Sequence, residues 1–253
     1  MSVLQQSLTV VTCGKGNLGE VKETLSSFMK FQAGFPKIIL ILSNFSESEI
    51  KGLEIEFSEL APSIYQVPAA GVYGAMNYAL EQIHSGHVLF LNSGDLIASE
   101  FALNALTLRC QPDQWGYGEA IISNQKSTFQ TKYRFHPYVK LLHLLGLKYV
   151  PHPSSIVPRN LLSKLGGFDL KYPVAADQKI LLQCSLISKP VILKMPISYF
   201  KLGGISTRAP FDIVQDFKSI SRDLLPKWHF FNLPLVNPWR LVLFVRKLKR
   251  SSL

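Results

Sequence analysis

The sequence is poor in cysteine, has no long apolar run, and carries no acid near its C-terminal end. Each shortage excludes something. Its three cysteines, Cys13, Cys110 and Cys184, stand far apart. An odd, scattered set builds neither a disulfide framework nor the paired spacing of a zinc site, and it suits a reducing compartment. No stretch approaches the roughly 20 apolar residues that a membrane-spanning helix needs. Residues 1–6 lack the cationic start and apolar core of a signal peptide. The expected location is therefore cytoplasmic. There is no internal repeat and no low-complexity run. After Asp223 there is no acidic residue, while Lys227, Arg240, Arg246, Lys247, Lys249 and Arg250 follow. These six account for more than half of a formal net charge of +10. A basic end of this kind meets nucleic acid or an anionic membrane surface. No nucleic-acid-binding module accompanies it, so nucleic acid is not expected as a partner.

What is present is a chain of 253 residues, 47% hydrophobic and 17% charged, long enough for one large domain with a sizeable core. Residues 88–91, Val-Leu-Phe-Leu, read as a strand buried on both faces, stopped by Asn92-Ser93-Gly94-Asp95. Ligands of open α/β sheets lie at the carboxyl ends of strands. A carboxylate there can hold a hard divalent cation, and the cation a diphosphate. The same run also reads as a turn, with Asp95 capping a helix over 99–109.

Upstream, residues 8–12 read as a strand feeding Gly14-Lys15-Gly16-Asn17-Leu18-Gly19 and a helix with Val21, Leu25, Phe28 and Met29 on one face. This Gly-x-Gly-x-x-Gly fits two readings, a dinucleotide-binding turn or a plain Gly-rich helix start. The second strand, 38–42, ends in Ser43-Asn44, where a dinucleotide site wants an acid for the ribose. Residues 47–60 read as polar with one short helix, and 64–67 as a third strand. Gly71-Val72-Tyr73-Gly74-Ala75-Met76-Asn77 opens a helix to about 85, with Gly86 as its stop. Further on, 115–123 reads as a strand and 124–134 has no clear period. A short helix within 138–147 contains His143. A helix over 159–165 ends at Gly166-Gly167, another runs over 178–187, a late strand covers 191–193, and a final amphipathic helix covers 211–225. Strands alternating with helices in the first half predict an α/β fold with a central, mainly parallel sheet and helices on both faces.

In order along the chain stand Gly71–Asn77, then Phe90-Leu91-Asn92-Ser93-Gly94-Asp95, then His152 ahead of Gly166-Gly167-Phe168-Asp169, then Ala175-Ala176-Asp177, then Gly203-Gly204-Ile205-Ser206. That series resembles glycosyltransferase family 2, in the branch that builds bacterial surface polysaccharides, over residues 8–206. The resemblance implies a GT-A fold with a nucleotide-binding half over about 1–110 and an acceptor half over 111–225. It implies inverting sugar transfer from a nucleotide-sugar donor to a glycan or lipid-linked acceptor, with Mg²⁺ or Mn²⁺. By the same resemblance Asp177 is the catalytic base and Asp95 the metal ligand. Thr12, Ser43, Gly71, Asn77, Asn92 and Ser93 lie along the donor, and His152 and Gly204 touch the acceptor or phosphates. The chain departs from the family pattern where Ser43, Gly74 and Asn92 stand in place of acids. The rivals are an NAD(P)-dependent oxidoreductase using the Gly14–Gly19 turn and a catalytically inactive scaffold.

The chemistry of inverting transfer asks for few groups. A carboxylate must take the acceptor hydroxyl's proton as that oxygen attacks, and positive charge must meet the leaving diphosphate. Asp177 also fits the reading of a helix N-cap, His152 that of a structural histidine, and Asp169 that of a turn residue. In the basic end, 226–253, Asn237-Pro238 is a good helix start. Leu241, Phe244, Val245 and Leu248 then share one face, opposite Arg240, Arg246, Lys247 and Arg250. Such a helix over 237–250 either lies in a membrane surface as a peripheral contact or packs on the globule.

Overall fold

The structure is a computed structural model and describes residues 8–32, 34–123, 130–202 and 210–224. The Gly203–Ser206 loop, Gly204 and the basic end 226–253 therefore lie outside the described residues.

The apolar, β-branched runs form the strands that the pattern predicts. β1 is Leu8–Lys15, β2 Lys37–Ser43, β3 Ser63–Gln66 and β4 His87–Phe90, all parallel. Between them run α1 (Leu18–Phe28), α2 (Glu47–Glu56) and α3 (Gly71–Glu81). Local chemistry sets their starts. Asn17 caps α1 by accepting from the Glu20 N–H, and Ser46 with Glu49 forms a reciprocal capping box at α2. Beyond β4 come β5 (Leu96–Ile97), α4 (Glu100–Arg109), β6 (Gly116–Ser123), β7 (Gln130–Tyr133) and α5 (Lys140–Leu144). Then follow β8 (Ser155–Pro158), α6 (Arg159–Lys164), α7 (Ala176–Ile187), β9 (Val191–Lys201) and α8 (Pro210–Leu224).

Among the described residues nine strands make one sheet in the order β3-β2-β1-β4-β8-β6-β9-β5, with β7 paired to β6. The half built from β1–β4 is parallel, as the alternation of strands and helices predicts. The other half is mixed: β8 runs antiparallel to β4 and β6, while β6 and β9 run parallel. Helices cover both faces. α1, α2 and α4 pack on one side with Val10, Leu40, Leu42, Leu89 and Leu91. α3, α6, α7 and α8 pack on the other with Val11, Ile39, Ile41, Val88 and Phe90. Alternation along β1, β2 and β4 decides which residue faces which layer.

Three elements differ from the sequence reading. β9 is 11 residues long, where the pattern marked only 191–193. Lys194 and Pro196 interrupt the apolar run, and the strand tolerates them at register shifts opposite Glu119. β7 lies in a stretch with no clear period because it is a half-exposed strand, paired among the described residues with β6 alone. The helix after β4 is capped by Ser99, whose hydroxyl accepts from the Ala102 N–H, and not by Asp95.

The β6–β9 seam is tight. A Cβ at Gly118 would stand 2.6 Å from Ile197 Cδ1 and 2.8 Å from the Met195 carbonyl. Backbone cannot yield as a flexible side chain would, so Gly118→Ala is expected to cost about 1–3 kcal/mol in urea unfolding.

Candidate active site at the carboxyl ends of the strands

Asp177 sits in the first turn of α7, half-buried. Its Oδ1 accepts a hydrogen bond from the Tyr73 hydroxyl at 2.8 Å, and its Oδ2 from Gln178 Nε2 at 2.9 Å. The N-cap reading fails here: Ala175 holds the N-cap position without a side-chain cap bond, and Asp177 lies inside the first turn of the helix. Asp216 Oδ2, from α8, accepts from the Val174 and Ala175 N–H groups, both at 3.0 Å. Among the described residues Asp177 makes no side-chain bond to backbone and is held from two sides by neutral donors.

Those donors are themselves fixed. Gln178 gives its second N–H to the Val150 carbonyl, while its Oε1 accepts from Val150 N–H and from His143 Nε2 at 2.9 Å. His143 is fully buried and its Nδ1 accepts from the Tyr138 hydroxyl at 3.0 Å. Burial pushes His143 down to about 4, so it stays neutral with its proton on Nε2. It is part of the scaffold behind Asp177 and does not line a groove. Tyr73 stands 9% exposed, its ring stacked on Phe168 at 5.7 Å. Burial first and the Asp177 charge second hold its phenol well above the usual range, so it remains a donor.

His152 lies over Phe90, rings stacked at 5.6 Å, with Phe168 edge-on at 5.7 Å. Burial lowers its pKa, against a smaller opposing effect of the Asp177 charge. It is thus a neutral ring at the end of β4, on the same face of the sheet as Asp177. Phe90 and Phe168 meet edge to face at 5.0 Å, which ties α3, β4 and the Gly166–Phe168 turn together.

Asn92 follows Phe90 by two residues. The β1–β4 ladder continues past the strand end, Leu91 N–H to Val11 O and Ser93 N–H to Cys13 O. Alternation therefore puts Asn92 on the Phe90 face. Its Oδ1 is buried and has no hydrogen-bond partner among the described residues, and such an atom costs free energy until a ligand or water donates to it. Gly71 opens α3 with φ +76° and open space where a side chain would project, so the helix N-terminus is accessible. Ser43 ends β2, buried, with its carbonyl taken by the Gly16 N–H.

Four expectations need correction. Thr12 is fully buried, and alternation places it on the α1 face with Val10, away from Asn92 and His152. Ser93 is the neighbour of Asn92 and falls on that α1 face as well. The Asn77 amide docks the Phe168 backbone: Nδ2 donates one N–H to the Phe168 carbonyl and Oδ1 accepts from the Phe168 N–H, both at 2.8 Å. Gly167 makes this docking possible, since a Cβ there would stand 2.6 Å from Asn77 Oδ1. Asn77→Ala is expected to leave both Phe168 backbone groups unpaired. It should cost about 2–3 kcal/mol in thermal unfolding and loosen the Tyr73–Phe168 stack.

The fourth correction is Asp95. The turn 92–97 wraps around α1: the Gly94 N–H donates to Thr24 Oγ1, whose hydroxyl donates to the Asp95 carbonyl. The Asp95 side chain is 4% exposed and its Oδ1 accepts from the Lys201 N–H at 2.9 Å. Lys201 Nζ lies beside Gly94, paired with Glu20 at 3.1 Å and Glu23 at 3.3 Å. Asp95 thus fastens the end of β9 to the α1 layer, on the side of the sheet opposite Asp177. Among the described residues no three His, Cys, Asp or Glu side chains gather as metal ligands. A sequestered carboxylate beside an ammonium group does not fit a divalent cation, and the expected metal role of Asp95 has no support in its surroundings.

No family profile matches the chain. It is 26% identical to an uncharacterized glycosyltransferase of Mycobacterium tuberculosis over 170 residues, 64% of this chain and 63% of that protein. It is 26% identical to a PGL/p-HBAD biosynthesis glycosyltransferase of Mycobacterium bovis over 144 residues, 54% and 53% of the two chains. The match thus spans less than two thirds of the relatives' own length. Among solved structures it is similar to Staphylococcus aureus TarS (TM-score 0.65, 16% identity, 87% of this chain and 40% of that one). It is also similar to the mannosyltransferase PcManGT of Pyrobaculum calidifontis, solved with GDP-Man and Mn²⁺ (TM-score 0.62, 17% identity, 85% and 64%). TarS residues 1–349 have also been solved with UDP-GlcNAc. At such identities the likeness is one of fold, and the fold is a mixed α/β fold of the GT-A type.

Proposed function

We propose that this chain is a glycosyltransferase that moves a sugar from a nucleotide-sugar donor to a glycan acceptor with inversion at the anomeric carbon. The observation that carries it is Asp177, a carboxylate with both oxygens aimed by side chains and, among the described residues, neither engaged with backbone, on the face shared by His152 and Asn92. The glycosyltransferase names of the sequence relatives and the nucleotide-sugar complexes of the structural neighbours support the same reading.

In this reading the acceptor hydroxyl lies against Asp177. As its oxygen attacks the anomeric carbon, the bond to the donor phosphate breaks and the nucleoside diphosphate leaves with the electron pair. The hydroxyl proton passes to the Asp177 carboxylate. Asn92 Oδ1 waits for a donor group such as a ribose hydroxyl. The Gly71 turn brings backbone N–H groups of α3 towards the diphosphate, with Ser43 at the neighbouring strand end. His152, neutral, floors the pocket and touches acceptor or phosphate. A divalent cation accompanies the donor in PcManGT; here no step is assigned to one, because Asp95 is not placed to hold it. A lipid-linked acceptor, a role in surface polysaccharide synthesis, a nucleotide half over 1–110 with an acceptor half over 111–225, and peripheral membrane contact through 237–250 complete the reading. They rest on the order of the motifs and the basic end. Among the described residues no helix is long and apolar enough to cross a membrane.

The test is binding. A thermal-shift screen of UDP, GDP, dTDP and CDP, each with Mn²⁺ and with EDTA, should give one clear stabilisation, because a ligand that binds only the folded state raises its stability. NAD(P)H stabilising the chain with all four nucleotides silent would favour the oxidoreductase. The geometry gives that rival little. The second strand ends in Ser43, without the acid that would hold the ribose.

A further inference from the structure

The Tyr73 hydroxyl has two acceptors and one proton. It lies 2.8 Å from Asp177 Oδ1 and 2.9 Å from the Val174 carbonyl oxygen. A carbonyl can only accept. The geometry therefore allows two complete arrangements, and they differ in the protonation of Asp177. With the carboxylate ionised, the Tyr73 proton points to Oδ1 in a charge-assisted bond. With the carboxyl protonated, its new O–H donates into Tyr73 Oη, and the Tyr73 proton turns to Val174 O. Gln178 Nε2, on the other oxygen, cannot follow, since an amide nitrogen has no lone pair to offer.

We propose that Tyr73 is a positioning residue that serves Asp177 in both protonation states, turning its hydroxyl proton from the carboxylate to the Val174 carbonyl as Asp177 takes up the acceptor's proton. This rests on Asp177 being the base. The balance closes without any further reactant. The acceptor O–H bond breaks, the oxygen–anomeric carbon bond forms, the nucleoside diphosphate leaves with its electron pair, and the proton stays on Asp177. Only the direction of the Tyr73 O–H changes, so no charge moves onto the phenol. Its Phe168 stack keeps the ring still while the hydroxyl turns. Val174 can serve as the second acceptor because its own N–H, like that of Ala175, is held by Asp216 at 3.0 Å. That fixes the strand of backbone leading into α7. The titratable groups that bear on Asp177 are Tyr73 from α3, His143 from α5, His152 from the turn before β8 and Asp216 from α8.

The test reads the proton directly and needs no substrate. Protein labelled with ¹³C at aspartate carboxyls and tyrosine Cζ is titrated by NMR, and the Asp177 and Tyr73 signals are assigned from D177N and Y73F. In the wild type the Tyr73 Cζ signal should move at the same pH as the Asp177 carboxyl. In Y73F the Tyr73 partner is gone from both protonation states, so the Asp177 carboxyl signal should differ from the wild type at both ends of the titration. Should Y73F fold poorly, 3-fluorotyrosine at position 73 packs as tyrosine and donates more strongly, and it should move the same carboxyl signal. A Tyr73 signal that stays flat through the Asp177 transition, or an Asp177 carboxyl signal unmoved by either variant, overturns the proposal. Turnover of a nucleotide sugar by D177N at the wild-type rate would instead overturn the base assignment, whatever Tyr73 does.

Discussion

Asp177→Asn is expected to lower sugar transfer by about 10²–10⁴-fold, the usual worth of a positioned general base. The substitution keeps the shape but removes the basic lone pairs. With its amide oxygen on Gln178 Nε2 and its amide N–H on Tyr73 Oη, the Tyr73 proton turns to the Val174 carbonyl and each of these groups keeps a partner. The fold should therefore lose less than about 1 kcal/mol. Activity and stability are separable. Activity should vanish at temperatures where circular dichroism shows D177N fully folded, and donor KM should be nearly unchanged, since the base acts only in the transition state. Gln178→Ala should show the milder form, with the carboxylate present but free to rotate. If D177N turns over at the wild-type rate, Asp177 is a structural residue and the base lies elsewhere.

The second large effect concerns Asp95 and runs through pH. Burial pushes its carboxyl from 3.8 up to about 7, against the opposing pull of the Lys201 N–H and ammonium group. Between those two values the folded chain therefore binds more protons than the unfolded one. Stability contributed by this group is full below pH 4 and is lost as pH rises through about 7. A shift of that size corresponds to on the order of 2–4 kcal/mol. Asn at position 95 still accepts from the Lys201 N–H but carries no charge to desolvate. In chemical denaturation from pH 4 to pH 8.5, the wild-type curve should fall relative to that of D95N, with D95N the more stable above pH 7. Parallel curves would remove the structural account of Asp95. If D95N also lost an Mn²⁺-dependent nucleotide shift that the wild type shows, the carboxylate would be a metal ligand after all.

Much of this layout can be read from the chain before any coordinates. The buried runs at 8–12, 38–42 and 88–91 announce a parallel sheet, and Gly71 opens α3 as read, although the helix stops at Glu81, short of the expected Gly86 stop. Asp177 is legible as a carboxylate at the start of a helix. What hides is anything that depends on which face of the sheet a side chain takes after a turn. Asp95 and Asn92 lie three residues apart, yet the turn sends one into the α1 layer and leaves the other beside His152. Thr12 and Asn77 look like ligand contacts by their place in the motifs. Period-2 alternation in one case and a backbone partner 91 residues away in the other give them structural roles. Tyr73, His143 and Asp216 could not be found from spacing, because the groups they reach in α7 and its approach are distant in sequence, and nothing in the sequence marks that Gln178 turns its amide back onto its neighbour Asp177. The one hint was Tyr73, a large phenol set in a glycine-rich helix start where small residues would suffice.

The most direct measurement is an NMR time course of the purified chain with α-linked nucleotide sugars of UDP, GDP, dTDP and CDP and a glycan acceptor. The account predicts that one donor is consumed, that its nucleoside diphosphate accumulates, and that the new anomeric signal has the β configuration. A product that keeps the α configuration, or four donors left intact by a folded chain, would contradict it.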